Sequence, residues 1–320
     1  MMPMLELREK LRAVYARYEI GITAAARMLL MLLCMFLIRI HIGYMSRLKN
    51  LFVIFGISLV SGFLPWPLIA IIAGTVILLH VSSISLEMTL VLAVLFLLVM
   101  VLYYGFAPGD SYLLLLTPAA FYLRIPYLIP ILTGLSGGPQ RSIPVAAATV
   151  IYYLLRYTGD NAGVLTNGTS GEITQKLTMI LKALTGNSEM LVMAAAMCLA
   201  VCAVYLIRTA SVDYAWQIAI AVGVLCQFAV IFAGDLLLDV QLGLLPMLLG
   251  MALSAALALF YNFMVFAVDY SATEYLTFED DDYCYYVKAV PKIAVTTADV
   301  KVQKISGTRR RRSSARERRE

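Results

Sequence analysis

Long apolar runs without charged residues dominate the chain and predict helices that cross a membrane. Four segments carry no Asp, Glu, Lys or Arg: residues 88–109, 190–207, 214–234 and 240–268. A helix rises about 1.5 Å per residue and the hydrocarbon layer is about 30 Å thick, so about 20 apolar residues suffice to cross it. The run LVLAVLFLLVMVL at residues 90–102 does not alternate polar with apolar residues, as barrel strands would. The pattern therefore predicts a bundle of transmembrane α-helices.

Other apolar segments are interrupted. Pro65 and Pro67 divide residues 51–81 into two short arms, which predicts either a tight pair of helices or one re-entrant element. Residues 112–144 contain eight Pro and Gly residues within apolar sequence, which predicts a broken helix. Residues 20–42 carry two arginines and cross only if both side chains extend to opposite interfaces. The predicted fold class is therefore an all-α membrane protein with about eight or nine transmembrane helices in residues 20–268, one or two of them broken or re-entrant.

Three polar regions lie outside this bundle. Residues 1–19 place their apolar residues on one helical face, so they form either an amphipathic helix on the membrane or a cytoplasmic extension of the first span. Residues 158–189 form a polar extramembrane connection whose second half has the spacing of a short amphipathic helix, with Ile173, Leu177, Ile180, Leu181 and Leu184 on its apolar face. Residues 269–320 are a mostly disordered tail, with a short extended element at Val287, Ala289, Pro291 and Val295 in which Pro291 marks an edge.

Composition agrees with a membrane body and a polar tail. Of the 320 residues, 61% are hydrophobic and 14% are charged, which excludes a water-soluble enzyme. Of the 25 Lys and Arg and 20 Asp and Glu residues, 20 follow Val268. The chain has only two histidines, and four of its five cysteines lie in apolar runs, so neither a His-based metal site nor a disulfide framework is predicted. No catalytic motif is present, so we predict no catalytic residue, no metal and no cofactor.

Basic residues in short loops indicate which side faces the cytoplasm. Arg208 precedes one short loop, which we place in the cytoplasm, and Asp235 and Asp239 flank the next loop, which we place outside. The tail at residues 269–320 then lies in the cytoplasm. The basic N-terminal segment is also predicted to be cytoplasmic, which requires an even number of crossings.

Ionisable side chains within or beside apolar helices are costly there, so they are the first candidates for function. Arg124 lies in FYLRIPYLIP, where Pro126 and Pro130 predict a broken helix that exposes carbonyl groups and a cation to a ligand. These three residues are therefore candidates for a ligand site or pathway. The alternative for Arg124 is an interfacial anchor beside Tyr122 and Tyr127.

Two pairs of ionisable residues give further candidates. His80 and Glu87 are seven residues apart, so a continuous helix would place them two turns apart as a proton-handling pair. The alternative is that the serines between them mark a loop and that both groups face water. Asp235 and Asp239 are four residues apart and suit a cation at the mouth of a pathway, or are simply part of an acidic external loop.

The tail carries two charged regions of opposite sign. Its basic end suits anionic lipid headgroups, and the alternatives are a solvated charge run or contact with nucleic acid, for which no specific signal is present; the residues are Arg309, Arg310, Arg311 and Arg312. Its acidic and aromatic beginning is a candidate docking segment for an unidentified protein partner, with Glu279, Asp280, Asp281, Asp282, Tyr283, Tyr285 and Tyr286. The bilayer is the partner that the whole sequence predicts.

Three segments carry a resemblance to known proteins: VDYSATEYLTFEDDDYCYYVKAVPKI at 268–293, GYMSRLKN from Gly43 and LLLLTPAAFYLRIPY from Leu113. Together they resemble a family of poorly characterised multi-pass membrane proteins of anaerobic Gram-positive, clostridial-type bacteria. Cys284 departs from the tyrosines of that pattern. The resemblance implies a bacterial plasma membrane and, because members are loosely labelled permeases, a transport-associated role without catalytic residues.

Two functions follow as hypotheses. The first is a permease-like or transport-associated membrane subunit in which residues 112–144 form the pathway or ligand site. The second is a non-transporting scaffold whose cytoplasmic tail recruits a partner. A polar cavity lined by Arg124 would favour the first hypothesis, and a closed apolar bundle with an ordered tail would favour the second.

Overall fold

The computed structural model describes residues 2–106, 109–167, 173–238, 240, 243–266 and 274–291. A short 3-10 helix at Pro139–Arg141 and an antiparallel hairpin accompany the α-helices of this part of the chain. The helices are α1 (Met2–His41), α2 (Leu51–Ser61), α3 (Trp66–Ser82), α4 (Leu86–Phe106), α5 (Tyr112–Tyr122), α6 (Leu128–Ser136), α7 (Ser142–Asp160), α8 (Ala162–Asn167), α9 (Ile173–Thr185), α10 (Ser188–Thr209), α11 (Ala215–Leu238) and α12 (Leu244–Phe266). The strands of the hairpin are β1 (Glu274–Glu279) and β2 (Cys284–Ala289).

Within the described residues, five helices are long and apolar enough to cross a membrane: α1, α4, α10, α11 and α12. Apolar side chains on their outer faces are exposed; on α4 they recur at helical spacing as Leu90, Val94, Leu97, Leu98 and Val101. A stripe of this kind would be costly in water and suits a hydrocarbon environment. The prediction of an apolar helical bundle is confirmed at this coarse level, whereas the count of eight or nine crossings is not.

Proline and glycine residues end the shorter helices where the sequence interrupts its apolar runs. Of the two predictions for residues 51–81, the structure has the pair of helices, α2 and α3, with Pro65 immediately before α3. Residues 112–144 form α5, α6, the 3-10 helix and the start of α7 rather than one span. Between α5 and α6, Arg124 adopts a left-handed backbone conformation with φ 62°, which turns the chain back on itself.

The helix α1 joins the N-terminal segment to the first span. Its backbone departs from helical geometry at Tyr18, with φ −122° and ψ 29°, so the two parts meet at a kink. The Arg12 guanidinium donates a hydrogen bond of 2.7 Å to the carbonyl oxygen of Val265, near the end of α12. The beginning of α1 and the end of α12 therefore lie at the same end of the bundle.

The bundle core has two larger parts that share α5 and α7. One part contains buried residues of α1, α3 and α4, including Met31, Ile69 and Leu92, and the other contains residues of α6, α10, α11 and α12, including Met197 and Met251. Because α5 and α7 contribute side chains to both clusters, they join the two parts into one body.

The hairpin is an addition to the predicted all-α fold. Its register pairs Glu274 with Ala289 and Glu279 with Cys284, and the backbone N–H of Asp280 donates to the carbonyl of Tyr283 across the turn. The Lys288 ammonium forms an ion pair with Asp213 in the connection between α10 and α11. The acidic part of the tail is therefore ordered and attached to the bundle.

Candidate functional site

An apolar cavity of about 360 Å³ lies between α1, α3, α4, α5 and α7. This volume falls in the range of about 300–1,000 Å³ that is typical of small-molecule sites. Small side chains on α3 and α5 leave space unfilled opposite the larger side chains of α1, α4 and α7. The small residues are Ala70, Ala73, Gly74, Pro118 and Ala119.

The cavity opens on the outer surface of the bundle between α3 and α4. Among its lining residues, Ile71 is 40% exposed and Leu97 is 67% exposed, whereas Ile38, Val99 and Leu155 are buried. The opening therefore lies on the same apolar surface that carries the exposed stripe of α4.

A polar cluster adjoins one end of the cavity. We use this name for His41, Tyr122, Tyr152, Arg156 and Glu189. Tyr122 lines the cavity, and its ring centroid lies 4.2 Å from that of His41 and 5.0 Å from that of Tyr152. The carbonyl oxygen of Leu37 lies 3.2 Å from His41 Nδ1, which fixes the imidazole beside Tyr122. A ligand in the cavity would thus have hydrocarbon walls along its length and polar groups at one end.

The positive charge of the polar cluster is already matched. Arg156 lies 3.2 Å from a carboxylate oxygen of Glu189 and 3.9 Å from one of Asp160. The Tyr153 hydroxyl also donates to Glu189 over 3.1 Å. In the adjoining turn, burial and the Asp160 carboxylate raise the pKa of Tyr44, so its hydroxyl stays protonated at neutral pH.

The structure places Arg124 outside this cavity. Its side chain is exposed on the turn between α5 and α6, while Pro126 is buried just before α6 and Pro130 is buried within it. The adjacent Tyr127 carbonyl accepts a 3.3 Å hydrogen bond from Gln227, a fully buried residue on α11. Sequence reasoning missed Gln227, although it is one of only two side-chain amides, with Gln217, in the charge-free run 214–234 and the one nearer its middle.

His80 and Glu87 lie on different helices, so the spacing of two turns does not apply to them. α3 ends at Ser82 and α4 begins at Leu86, as in the loop alternative. His80 does not face water, however; it is 1% exposed, and its Nδ1 accepts a 3.1 Å hydrogen bond from the Met45 backbone N–H. Glu87 accepts a 2.7 Å hydrogen bond from the Ser85 hydroxyl. His80 therefore holds the turn after α1 against α3.

The remaining predicted residues lie away from the cavity or outside the described residues. Asp235 is on the last turns of α11, whereas Asp239 and the four arginines Arg309, Arg310, Arg311 and Arg312 lie outside the described residues. In the hairpin, the acidic and aromatic candidates are all exposed: Glu279, Asp280, Asp281, Asp282, Tyr283, Tyr285 and Tyr286. No group of three His, Cys, Asp or Glu residues suited to a metal occurs in the part of the chain that is described.

An ion pair that sequence reasoning missed joins two connections. Arg141 contacts both carboxylate oxygens of Asp110 at 2.9 Å and donates to the Ser136 hydroxyl at 2.9 Å. Both charged side chains are largely buried, which strengthens the pair relative to a surface contact. It ties the chain after α4 to the chain before α7.

The fold and the site together define the class of protein to which the chain belongs. Helices of spanning length with apolar side chains on their outer faces belong to a helical membrane protein. Comparison with protein-family models, with curated proteins and with solved structures finds no match to this chain.

Proposed function

We propose that the chain is a permease-like membrane protein whose cavity takes up the hydrocarbon part of a lipid-like ligand. The observation that carries this proposal is the opening of the apolar cavity between α3 and α4, on the surface that suits lipid. A ligand that is already dissolved in the bilayer reaches such an opening sideways, without crossing water. The plasma membrane of a bacterium is the location proposed from the resemblance.

The interrupted region 112–144 contributes to this site through α5. Leu114, Leu115, Pro118 and Tyr122 all line the cavity. The apolar character of these side chains favours a hydrocarbon ligand over a polar solute, and the exposed position of Arg124 supports its alternative role as an interfacial anchor. The proposed ligand site is thus built from α1, α3, α4 and α7 as well as from the region expected.

A scaffold function is the second candidate. The observation that favours it is the ordered hairpin, which presents Tyr275, Phe278 and Tyr286 to the surroundings beside an acidic turn. Such a surface suits a basic protein partner. The two functions differ in what they require of the cavity, because only the first needs it to be open.

The test fills the cavity from α3. Leu78 lines the cavity, whereas its neighbour Leu79 is exposed on the same helix and does not line it. We expect Leu78→Trp to reduce crosslinking of a photoreactive long-chain alkyl probe about tenfold in lipid nanodiscs, a loss of about 1.4 kcal/mol. The matched variant Leu79→Trp should retain wild-type crosslinking.

Mass spectrometry of the crosslinked peptides locates the probe. Modified residues on the cavity walls in the wild type, and their loss in Leu78→Trp alone, support the proposal. Equal crosslinking of the two variants at cavity positions would contradict it and favour the scaffold.

A further inference from the structure

We propose that the cavity binds a neutral amphiphile whose head is a hydroxyl group held between Tyr122 and His41. This inference rests on the proposed function and adds the chemical class of the ligand. The class comprises long-chain alcohols, including isoprenoid alcohols and acylglycerols with a free hydroxyl.

Tyr122 places a hydroxyl where the hydrocarbon wall ends. It is the residue of the polar cluster that also lines the cavity, and its ring contacts are aromatic, to His41 and Tyr152. Its hydroxyl makes no hydrogen bond to another residue in the described part of the chain. A phenol that is half in an apolar site retains the capacity to donate one hydrogen bond and to accept others.

The contact of His41 with Leu37 determines which hydrogen bond the imidazole offers to a ligand. Because the Leu37 carbonyl can only accept, the proton of neutral His41 is assigned to Nδ1, and Nε2 is left as an acceptor. A ligand hydroxyl can donate to this nitrogen and accept from the Tyr122 hydroxyl at the same time. A methyl ether can accept but cannot donate, so it satisfies only half of this arrangement.

The charges around the polar cluster disfavour an anionic head. Arg156 is matched by Glu189 and Asp160, and Lys49 is an exposed side chain in the turn after α1, packed against Gly43. A phosphate or carboxylate head would therefore meet two carboxylates beside one arginine that they already neutralise. A neutral head avoids this repulsion and leaves the Arg156 pairs intact.

The cavity supplies the rest of the recognition. Its walls are almost entirely apolar from Leu37 on α1 to Leu155 on α7, and its opening lies on the apolar surface between α3 and α4. The ligand would lie with its chain toward the bilayer interior and its head beside tyrosine side chains, which favour the membrane interface.

The experiment compares three photoreactive probes with one alkyl chain and different heads: the alcohol, its methyl ether and the corresponding carboxylic acid. In nanodiscs that contain the full chain, we expect the alcohol probe to crosslink at cavity residues at a lower concentration than the ether or the acid probe. Tyr122→Phe should weaken binding of both the alcohol and the ether about three- to tenfold, the effect of one net hydrogen bond, because both oxygens accept from this hydroxyl. His41→Phe should weaken the alcohol by a similar factor and leave the ether unchanged, because only the alcohol donates to the imidazole. Tyr205→Phe is the matched control, because Tyr205 lies on α10, which does not line the cavity.

The outcomes separate this inference from the proposed function. If alcohol and ether bind equally, or if the acid binds best, the hydroxyl head is wrong even though Leu78→Trp still excludes every probe. If His41→Phe weakens the alcohol and the ether equally, or if Tyr122→Phe weakens neither, the two side chains only shape the site and the inference is again overturned. If no probe binds at the cavity, the proposed function itself fails.

Discussion

Close helix contacts in this protein depend on single glycine residues facing α10. A Cβ on Gly134 would lie 2.7 Å from Val204 Cβ and 2.9 Å from the carbonyl oxygen of Val201, and a Cβ on Gly223 would lie 2.4 Å from a Val204 methyl carbon. Val204 is therefore packed between the backbones of α6 and α11. Small residues have this role in membrane bundles because they let helix backbones approach.

Replacing Gly134 by alanine should destabilise the folded protein. The backbone oxygen and the β-branched side chain that the new methyl group meets cannot move aside without shifting α10 against α6. We expect a loss of about 1–3 kcal/mol, read as a lower midpoint of unfolding in detergent. The matched control is Gly56→Ala on α2, where nothing lies within 4 Å of the new Cβ and helix propensity favours alanine. Equal midpoints for the two variants would refute the close contact as the cause.

Individual residues were the least predictable from sequence. Arg124 and His80 stood out because charge is rare in apolar runs, but their rarity did not tell whether they face a cavity, a neighbour or the surface. The pair of Asp110 and Arg141 is 31 residues apart in sequence and meets only because α5 and α6 fold back between them. The sequence places Tyr122 two residues from Arg124 but gives no sign of its position in the cavity, because that cavity is formed by five helices distant in sequence.

The long helices were predictable because length and apolar content determine them almost alone. The charge-free run 88–109 contains most of α4, and the run 214–234 contains most of α11. The short helices were predictable as interruptions, but their partners were not, because proline fixes where a helix ends and not where the next one packs. The extended element predicted from Val287 overlaps the end of β2, but β1 and its pairing with β2 were not predictable, because strands of six residues leave little pattern in the sequence.

The hairpin should depend on the ion pair between Lys288 and Asp213, which attaches it to the bundle. A two-stranded hairpin is marginally stable alone, so removing the ion pair between Lys288 and Asp213 should expose its amides. We expect faster hydrogen exchange across β1 and β2 in Asp213→Asn, and no change in the matched variant Asp235→Asn on α11. Unchanged exchange in Asp213→Asn would show that other contacts hold the hairpin.

The ion pair between Lys288 and Asp213 should weaken at alkaline pH. The hydrogen bond to Asp213 raises the pKa of Lys288, which means that docking favours the charged ammonium. The stabilisation of the docked hairpin by this ion pair is therefore complete at neutral pH and is lost as the pH rises through the raised pKa of Lys288. High salt should weaken it as well, because the side chains are exposed.

At the scale of the whole molecule, the contact of Arg12 with Val265 places the beginning of α1 and the end of α12 on one side of the membrane. The hairpin lies near that side through Asp213. The turn after α1, which follows the first span, should then lie on the opposite side. A shared side is what the prediction of a cytoplasmic N-terminal segment and tail requires; that this side is the cytoplasm stays a prediction, and it places the basic residues Arg47 and Lys49 on the outer side.

Thiol labelling in intact cells measures this arrangement. Cys284 is exposed in the hairpin, so a variant in which it is the only cysteine reports the side of the tail. We expect Cys284 to be protected from a membrane-impermeant maleimide until the cells are permeabilised. A single cysteine introduced as Ser46→Cys in the turn after α1 should react before permeabilisation. The reverse pattern, or reaction of both positions in intact cells, would contradict the predicted orientation.

The short helix α2 has a consequence for the surrounding bilayer. It has 11 residues, about 16 Å of helix, yet Phe52, Phe55 and Leu59 face outward from it. Acyl chains beside α2 therefore meet a hydrophobic belt narrower than the usual hydrocarbon thickness, and they must compress or tilt to match it. Lipids with shorter tails relieve that mismatch, so this flank should gather them from a mixed bilayer and give the molecule a preference for thin regions.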